Sequence, residues 1–198
     1  MKKQIPQHVG NITLAYDAVE RTQETRIFLV KNAPKNEKDG SRRRKRVGIN
    51  KWVPTGGGRN PSDRSQKHGA QRELFEESGY QWKIPLAKLR RVGVLECYKT
   101  VEGFPCSFEH ATLKWVVHLY ETVIPEWMYT TRPARPSKGI SKVQWFPIYL
   151  LPWHEMMDDA KLWIPRMIEG EQLRVRILRH FRHDKLMDHE IIPEQFSR

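Results

Sequence analysis

Residues 72–80 restrict the fold of this chain more than any other part of its sequence. Glu73, Glu76 and Glu77 fall at positions i, i+3 and i+4, so they project from one side of a helix. Gly79 follows them, where glycine commonly ends a helix. Like charges at this spacing repel, so such a face is unfavourable unless a cation lies among the carboxylates. Because hard divalent cations such as Mg²⁺ prefer oxygen ligands, the pattern predicts a metal-binding helix face. The alternative is an acidic face that is simply solvated.

The segment resembles the second half of the Nudix box, G-x5-E-x7-R-E-U-x-E-E-x-G-U, in which U is a bulky apolar residue. Every defined position from Arg72 onward agrees with this pattern. Counting back from Arg72 places the box glycine at Gly58 and the box glutamate at Arg64, which reverses the charge. If the box glycine is Gly57 and the loop has one extra residue, Asp63 takes the acidic position. We favour this second register, because Asp63 can then pair with Arg72 and brace the loop.

The resemblance implies an α/β fold, the Nudix α/β/α sandwich with a mixed sheet. Residues 1–198 are expected to form a single domain with a basic insertion at about residues 32–50. Strands are expected near residues 11–18, 24–31, 51–55, 89–101, 111–123, 143–147, 173–181 and 188–192. A helix is expected over 65–78 with N-cap chemistry from 61–63, and a second over 152–168, kinked or divided at Pro165. Residues 125–139 are expected to be irregular.

The same resemblance implies a hydrolase that attacks a pyrophosphate with water, using Mg²⁺ or alternatively Mn²⁺. The implied metal ligands are carboxylates of the helix together with a carbonyl of the glycine loop: Glu73, Glu76, Glu77, Gly57 and Gly58. Glu73 is the candidate general base, and Arg72 completes the catalytic set through its ion pair with the loop. Many Nudix enzymes add a glutamate before a later strand, but residues 138–145 contain no acid here. A fourth carboxylate is therefore missing, or comes from elsewhere, such as Glu109 or Glu126.

A second resemblance concerns the substrate. Residues 145–165 look like the C-terminal part of the oxidised purine nucleoside triphosphatases, in which a Trp-Pro-Asp-Asp run recognises the base. Asp158 and Asp159 match its acids, and Met156 stands where the stacking tryptophan would be. Two adjacent buried carboxyls can share a proton, so the pair could both accept and donate hydrogen bonds. Trp52 is a further candidate for stacking. The alternative is a helix with two exposed aspartates.

The chain is strongly basic, with a formal net charge of +12 and a sequence pI near 9.8. Five of its cations form the unbroken run Arg42 to Arg46. A run this dense is usually a solvated mobile loop, but it could also bind a polyanion or serve as a nuclear-localisation signal. A cytoplasmic location is expected, with the nucleus as the alternative. No segment has the apolar length of a membrane span or a secretory signal, and two cysteines cannot form a disulfide framework.

These features predict hydrolysis of a nucleoside triphosphate, with an oxidised purine such as 8-oxo-dGTP, to a monophosphate and pyrophosphate. Such an activity would remove damaged nucleotides from the pool. Capped RNA or a diphosphoinositol polyphosphate is the alternative substrate, since either explains the positive charge better. A third possibility is a catalytically weak Nudix module that binds RNA.

Overall fold

The computed structural model describes residues 8–18, 20–22, 24–33, 49–180 and 182–196. Residues 34–48 of the predicted basic insertion, including the run Arg42 to Arg46, lie outside this range. The strands are β1 (His8–Tyr16), β2 (Arg26–Asn32), β3 (Trp52–Val53), β4 (Thr55–Gly58), β5 (Arg90–Lys99), β6 (Thr112–Val123), β7 (Ile140–Pro147), β8 (Leu173–Arg179) and β9 (Leu186–Pro193). The helices are α1 (Gln66–Glu77), α2 (Glu126–Thr131) and α3 (Ala160–Ile168).

A single mixed sheet joins all of these strands in the order β3-β2-β1-β6-β5-β8-β9, with β4 also paired to β1 and β7 to β2. The β1–β6 and β5–β8 pairs are parallel, and the other pairs are antiparallel. β1 pairs with β2 at Ala15↔Phe28 and Tyr16↔Ile27, near the end of β1. The two strands diverge because β4 pairs with the first half of β1 and β7 pairs along β2.

The core lies on both faces of the sheet, as the alternation of β2 shows. Ile27 and Leu29 belong to one buried cluster, whereas Phe28 and Val30 belong to another. Because successive strand residues point to opposite faces, the two clusters lie on opposite sides of the sheet. The first cluster includes residues of α3, and the second includes Leu74 of α1 and a methionine of α2. This is the predicted α/β/α sandwich.

Two helix predictions were wrong. The region 125–139, expected to be irregular, contains α2, which begins directly after Pro125. The helix expected over 152–168 is a 3₁₀ turn at Trp153–Glu155 followed by α3, which begins only at Ala160. Pro165 lies inside α3 and does not divide it. Among the described residues, no helix has the length and apolar character needed to cross a membrane.

Candidate active site

The N-terminus of α1 is fixed by Ser65, whose hydroxyl accepts a hydrogen bond from the backbone N–H of His68 at 3.2 Å. The predicted N-cap residues 61–63 are instead used in the preceding turn, where the N–H of Asp63 donates to the carbonyl of Asn60 at 2.9 Å. This turn directs the carboxylate of Asp63 toward the helix. The glycines of the predicted glycine loop, Gly56 to Gly58, lie in strand β4, and they contact α1.

The glycine loop lies directly against the acidic face of α1. A Cβ atom added to Gly57 would come within 2.5 Å of Glu73 Oε1, so only glycine fits there without displacing the carboxylate. A Cβ added to Gly56 would come within 2.3 Å of the carbonyl oxygen of Asn11 on β1. The N–H of Gly56 donates to Glu77 Oε2 at 2.9 Å. Glu73 and Glu77 thus both face the loop, as their helical spacing predicts.

Arg72 links the loop to the helix. Its guanidinium donates two hydrogen bonds of 3.1 Å to the carboxylate of Asp63, one to each oxygen. It also donates to the carbonyl of Gly58 at 3.1 Å. The predicted ion pair between Asp63 and Arg72 is therefore confirmed. The hydrogen bond from Arg72 is the main reason that the pKa of Asp63 is lowered from its ordinary value.

The same guanidinium reaches two of the predicted metal ligands. Arg72 Nη1 lies 2.8 Å from Glu73 Oε1 and 3.1 Å from Glu76 Oε2. The side chain of Glu73 is 14% exposed and that of Glu76 is 38% exposed. Burial raises the pKa of Glu73 above its ordinary value, although the charge of Arg72 opposes this change. Glu73, the candidate base, is therefore more buried than Glu76.

The predicted base-recognition pair differs from expectation. Arg179, at the end of β8, donates to Asp158 Oδ1 at 2.7 Å and also to Asp159 Oδ1. Desolvation raises the pKa of Asp158, but the hydrogen bond and charge of Arg179 outweigh it, so the pKa is lowered overall. The expectation of two carboxyls that share a proton is therefore wrong for this structure, because a cation lies between them.

The two predicted stacking residues are also placed differently. Met156 and Trp52 are both buried in the cluster on the α3 side of the sheet, where they form an isolated parallel bridge with each other. The Trp52 ring packs edge-on against Phe146, with 4.9 Å between ring centroids. Neither side chain presents a free face to a nucleotide base, because the core already covers both. They act as core residues in this structure.

Comparison with known proteins identifies the family to which the chain belongs. A family model described as the NUDIX domain matches residues 12–167, well over half of the chain. The chain belongs to the Nudix family. A relative from Danio rerio, named oxidized purine nucleoside triphosphate hydrolase, is 26% identical over 147 residues, which cover 73% of this chain and 79% of the relative. The family assignment supports the prediction that the chain is an enzyme, a Nudix pyrophosphohydrolase.

Solved Nudix structures share the fold. A MutT protein from Bacillus halodurans has a TM-score of 0.61 at 16% identity, covering 95% of this chain and 99% of that one. The NUDIX domain of Shewanella oneidensis NrtR, solved in complex with ADP ribose, has a TM-score of 0.56 at 14% identity and covers 86% and 90% of the two chains. At these identities the likeness shows the Nudix fold alone.

Nudix hydrolases generally use divalent metal ions. The predicted ligands here are all oxygens, a donor set that suits such a cation. However, no three His, Cys, Asp or Glu side chains within the described ranges are arranged to hold a metal ion. Arg72 pairs with Glu73 and Glu76, and it donates a hydrogen bond to the carbonyl of Gly58. The donor chemistry therefore fits a metal, while its ligand set stays a prediction.

Sequence reasoning missed Arg179, although the sequence of β8 contains a signal for it. Alternate residues of a strand share a face, which places Arg179 with Leu173, Val175 and Ile177. Those three residues are buried in the core cluster on the α3 side. An arginine on an apolar strand face needs a buried carboxylate as its partner. The pairing of Arg179 with Asp158 and Asp159 could have been predicted for this reason.

Proposed function

We propose that this chain hydrolyses purine nucleoside triphosphates, including oxidised purines, to a nucleoside monophosphate and pyrophosphate, with Mg²⁺ or Mn²⁺ as cofactor. The observation that carries the proposal is the contact between the acidic face of α1 and the glycine loop. Glu73 lies against Gly57, and Glu77 accepts a hydrogen bond from Gly56. This arrangement gathers carboxylates beside backbone groups that can approach a phosphate chain closely.

Glu73, Glu76 and Glu77, with a carbonyl of Gly57 or Gly58, would hold the metal. When bound, the ion would neutralise phosphate charge and lower the pKa of the attacking water. A Glu73 carboxylate oxygen would accept the proton of that water as general base. Arg72 keeps loop and helix in register through its two hydrogen bonds with Asp63.

The purine assignment is supported by the Danio rerio relative, whose name specifies oxidised purine nucleoside triphosphates. By the sequence resemblance, Asp158 and Asp159 match the two acids that read the base in enzymes of that kind. Asp158 remains partly exposed, so it can contact a ligand. The burial of Met156 and Trp52 argues against these residues as the stacking surface.

A second candidate function is favoured by the net charge of +12. A positive field attracts long polyanions more strongly than a single triphosphate. Capped RNA or a diphosphoinositol polyphosphate would then be the substrate, or RNA would be bound without turnover. RNA binding would show log affinity that falls steeply with log salt, since each neutralised phosphate releases a counter-ion.

A substrate panel tests the proposal. The purified chain is incubated with Mg²⁺ and dGTP, 8-oxo-dGTP, dATP, capped RNA or an inositol pyrophosphate, and the products are quantified. We expect monophosphate and pyrophosphate from the purine triphosphates, and loss of both products in Glu73→Gln. Faster hydrolysis of capped RNA or of the inositol pyrophosphate would replace the proposal with the second candidate. Salt-sensitive RNA binding without any product would indicate the non-catalytic module.

A further inference from the structure

Arg179 contacts both members of the acid pair and also the turn after β8. One of its terminal nitrogens donates to Asp158 and to Asp159, and the other donates to the carbonyl of Asp184 at 2.7 Å. The guanidinium is buried in this position. A single cation therefore connects the segment before α3 to the β8–β9 turn.

The two carboxylates are left with unequal capacity for a ligand. Asp159 is buried and uses both oxygens internally, one with Arg179 and the other with Trp163 Nε1 at 3.0 Å. The side chain of Asp158 is 46% exposed. Its second oxygen accepts a long hydrogen bond of 3.4 Å from the N–H of Leu186. Asp158 is therefore the member of the pair that can meet a base.

Two other titratable groups, Cys97 and Asp184, lie near the acid pair and Arg179. Cys97 on β5 is buried, which is the main reason that its pKa is raised to about 12, and the nearby charge of Asp159 raises it further. The carboxylate of Asp184 pairs with Lys99 at 2.9 Å. Arg179 is the cation that is hydrogen-bonded to both Asp158 and Asp159.

We propose that Arg179 determines base specificity by keeping Asp158 an acceptor of hydrogen bonds, so that this chain reads a purine through its amino groups. The proposal rests on the proposed triphosphatase function. An ionised carboxylate only accepts hydrogen bonds, whereas a carboxyl pair without a cation can retain a proton and donate it to a carbonyl. Arg179 acts through Asp158 and is a positioning residue.

Three purine nucleotides, dATP, dGTP and dITP, distinguish a carboxylate that only accepts hydrogen bonds from a carboxyl pair that can also donate one. dATP and dITP differ at position 6, where an amino group replaces a carbonyl, and dGTP and dITP differ at position 2, where an amino group replaces hydrogen. Loss of one buried hydrogen bond lowers affinity by about tenfold or more. We expect at least one amino purine to exceed dITP by about tenfold in kcat/KM, and Asp158→Asn to reduce this ratio.

The decisive variant is Arg179→Gln, which removes the cation and leaves the acid pair to share a proton. Its preference for the amino purine over dITP should shrink as the pH falls, because the shared proton is present at low pH and lost at high pH. Arg176→Gln is the matched control on the same strand, since Arg176 pairs with Glu190 and does not contact the acid pair. An Arg179→Gln protein that keeps the parent ratio at every pH overturns the proposal, as does a parent that hydrolyses dITP as well as both amino purines.

A titration of the parent protein gives a test that needs neither turnover nor a buried substitution. With ¹³C-labelled aspartate side chains, the Asp158 signal, assigned by its absence in Asp158→Asn, should titrate below the ordinary aspartate value of about 3.9. A midpoint above pH of about 6 would mean a shared proton and would overturn the proposal. If the protein hydrolyses none of the triphosphates, the proposed function is wrong, but the titration of Asp158 can still be measured.

Discussion

At the scale of single residues, Arg72 is the cation that pairs with two of the three glutamates on the acidic face of α1, Glu73 and Glu76. Its guanidinium contacts Asp63, Glu73 and Glu76. The sequence predicts that this face needs a cation. Arg72, which precedes Glu73 in the same helix, is one such cation. The ion pairs offset the like-charge repulsion of the acidic face, so the site is held in place before any substrate arrives.

Replacing the outer glutamates tests the predicted metal site. Glu76→Gln and Glu77→Gln should each lower kcat/KM by about 10²-fold or more, because even the outer-shell partners of a metal are worth about 10- to 100-fold. Both variants should stay folded, since a glutamine at position 77 can still accept from the N–H of Gly56. Pyrophosphate release at modest Mg²⁺ measures the effect. Glu171→Gln, which removes a carboxylate paired with Arg166, is the control, and near-normal turnover in both test variants would contradict the metal assignment.

Glu73 gives a pH-dependent prediction with a definite sign. Burial raises its pKa in the folded state, so the folded protein binds more protons than the unfolded chain between the two pKa values. Stability from this group is therefore present below its unfolded pKa of about 4.3 and is lost as the pH rises through the folded pKa. Glu73→Gln mimics the protonated carboxyl and should raise the Tm at pH 7 in EDTA.

The gain in Tm from Glu73→Gln should disappear as the pH falls toward 4, while activity falls by about 10²-fold or more through loss of the base. Thermal melts of both proteins across this range provide the measurement. A Tm difference that stays constant with pH would contradict a raised pKa. A variant with parental activity would remove Glu73 from the list of bases.

The sequence predicted the partner of Asp63 but not the partner of Asp159, because the two contacts depend on different parts of the fold. Asp63 pairs with Arg72 only nine positions away, so loop length and the box pattern were enough to predict the contact. The partner of Asp159 is Arg179, which approaches from a strand placed by the whole sheet. A local sequence pattern does not contain that approach.

At the scale of elements, the 12-residue α1 (Gln66–Glu77) agrees with the predicted helix to within one residue at each end, since Ser65 and Ser78 serve as its caps. Its apolar and acidic positions and Gly79 are local signals. The six residues of α2 are too few for a helical period to be recognised. The delayed start of α3 reflects tertiary contacts, because the segment before it joins β3 through the bridge between Trp52 and Met156.

The cap of α1 provides a test at this scale. Ser65→Ala should lower the free energy of unfolding by about 1 kcal/mol, since it removes the side-chain acceptor for a helical N–H. This corresponds to a fall in Tm of about 2–4 °C for a chain of this size. Ser62→Ala is the matched control, because the hydroxyl of Ser62 bonds only Asn60 in the exposed turn. Equal denaturation midpoints for the two variants would show that Ser65 is not the effective cap.

At the scale of the whole molecule, the alternating patterns predicted half-buried strands, but they did not predict the strand order. β1 pairs in parallel with β6, whose sequence lies about a hundred residues away, and β5 pairs in parallel with β8. Such pairings are chosen by how the complete apolar surface is buried and leave no local trace. The Nudix resemblance supplied the sandwich where the strand patterns alone could not.

The basic insertion also belongs to the scale of the whole molecule, because its charge affects the entire molecule. The ends of the insertion are held together, since the N–H of Asn32 donates to the carbonyl of Lys51 and the N–H of Asn50 donates to the carbonyl of Asn32, each at 3.2 Å. Deleting residues 38–46 leaves eight residues, 33–37 and 47–49, between Asn32 and Asn50. Hairpin loops of about two to five residues are common, so this connection is long enough.

We expect the protein with residues 38–46 deleted to fold with a Tm close to that of the parent and to keep its KM for a purine triphosphate. The deletion lowers the formal net charge from +12 to +7. A full-length variant with glutamine at each position from Arg42 to Arg46 has the same net charge, so the pair separates charge from loop length. If the parent binds RNA, both variants should show a shallower salt dependence, by about 0.7 in the log–log slope for each RNA phosphate that the variant no longer neutralises. A rise in KM of tenfold or more in both variants would instead place these cations in the phosphate path of the substrate, and the polyanion candidates would then replace the small nucleotide.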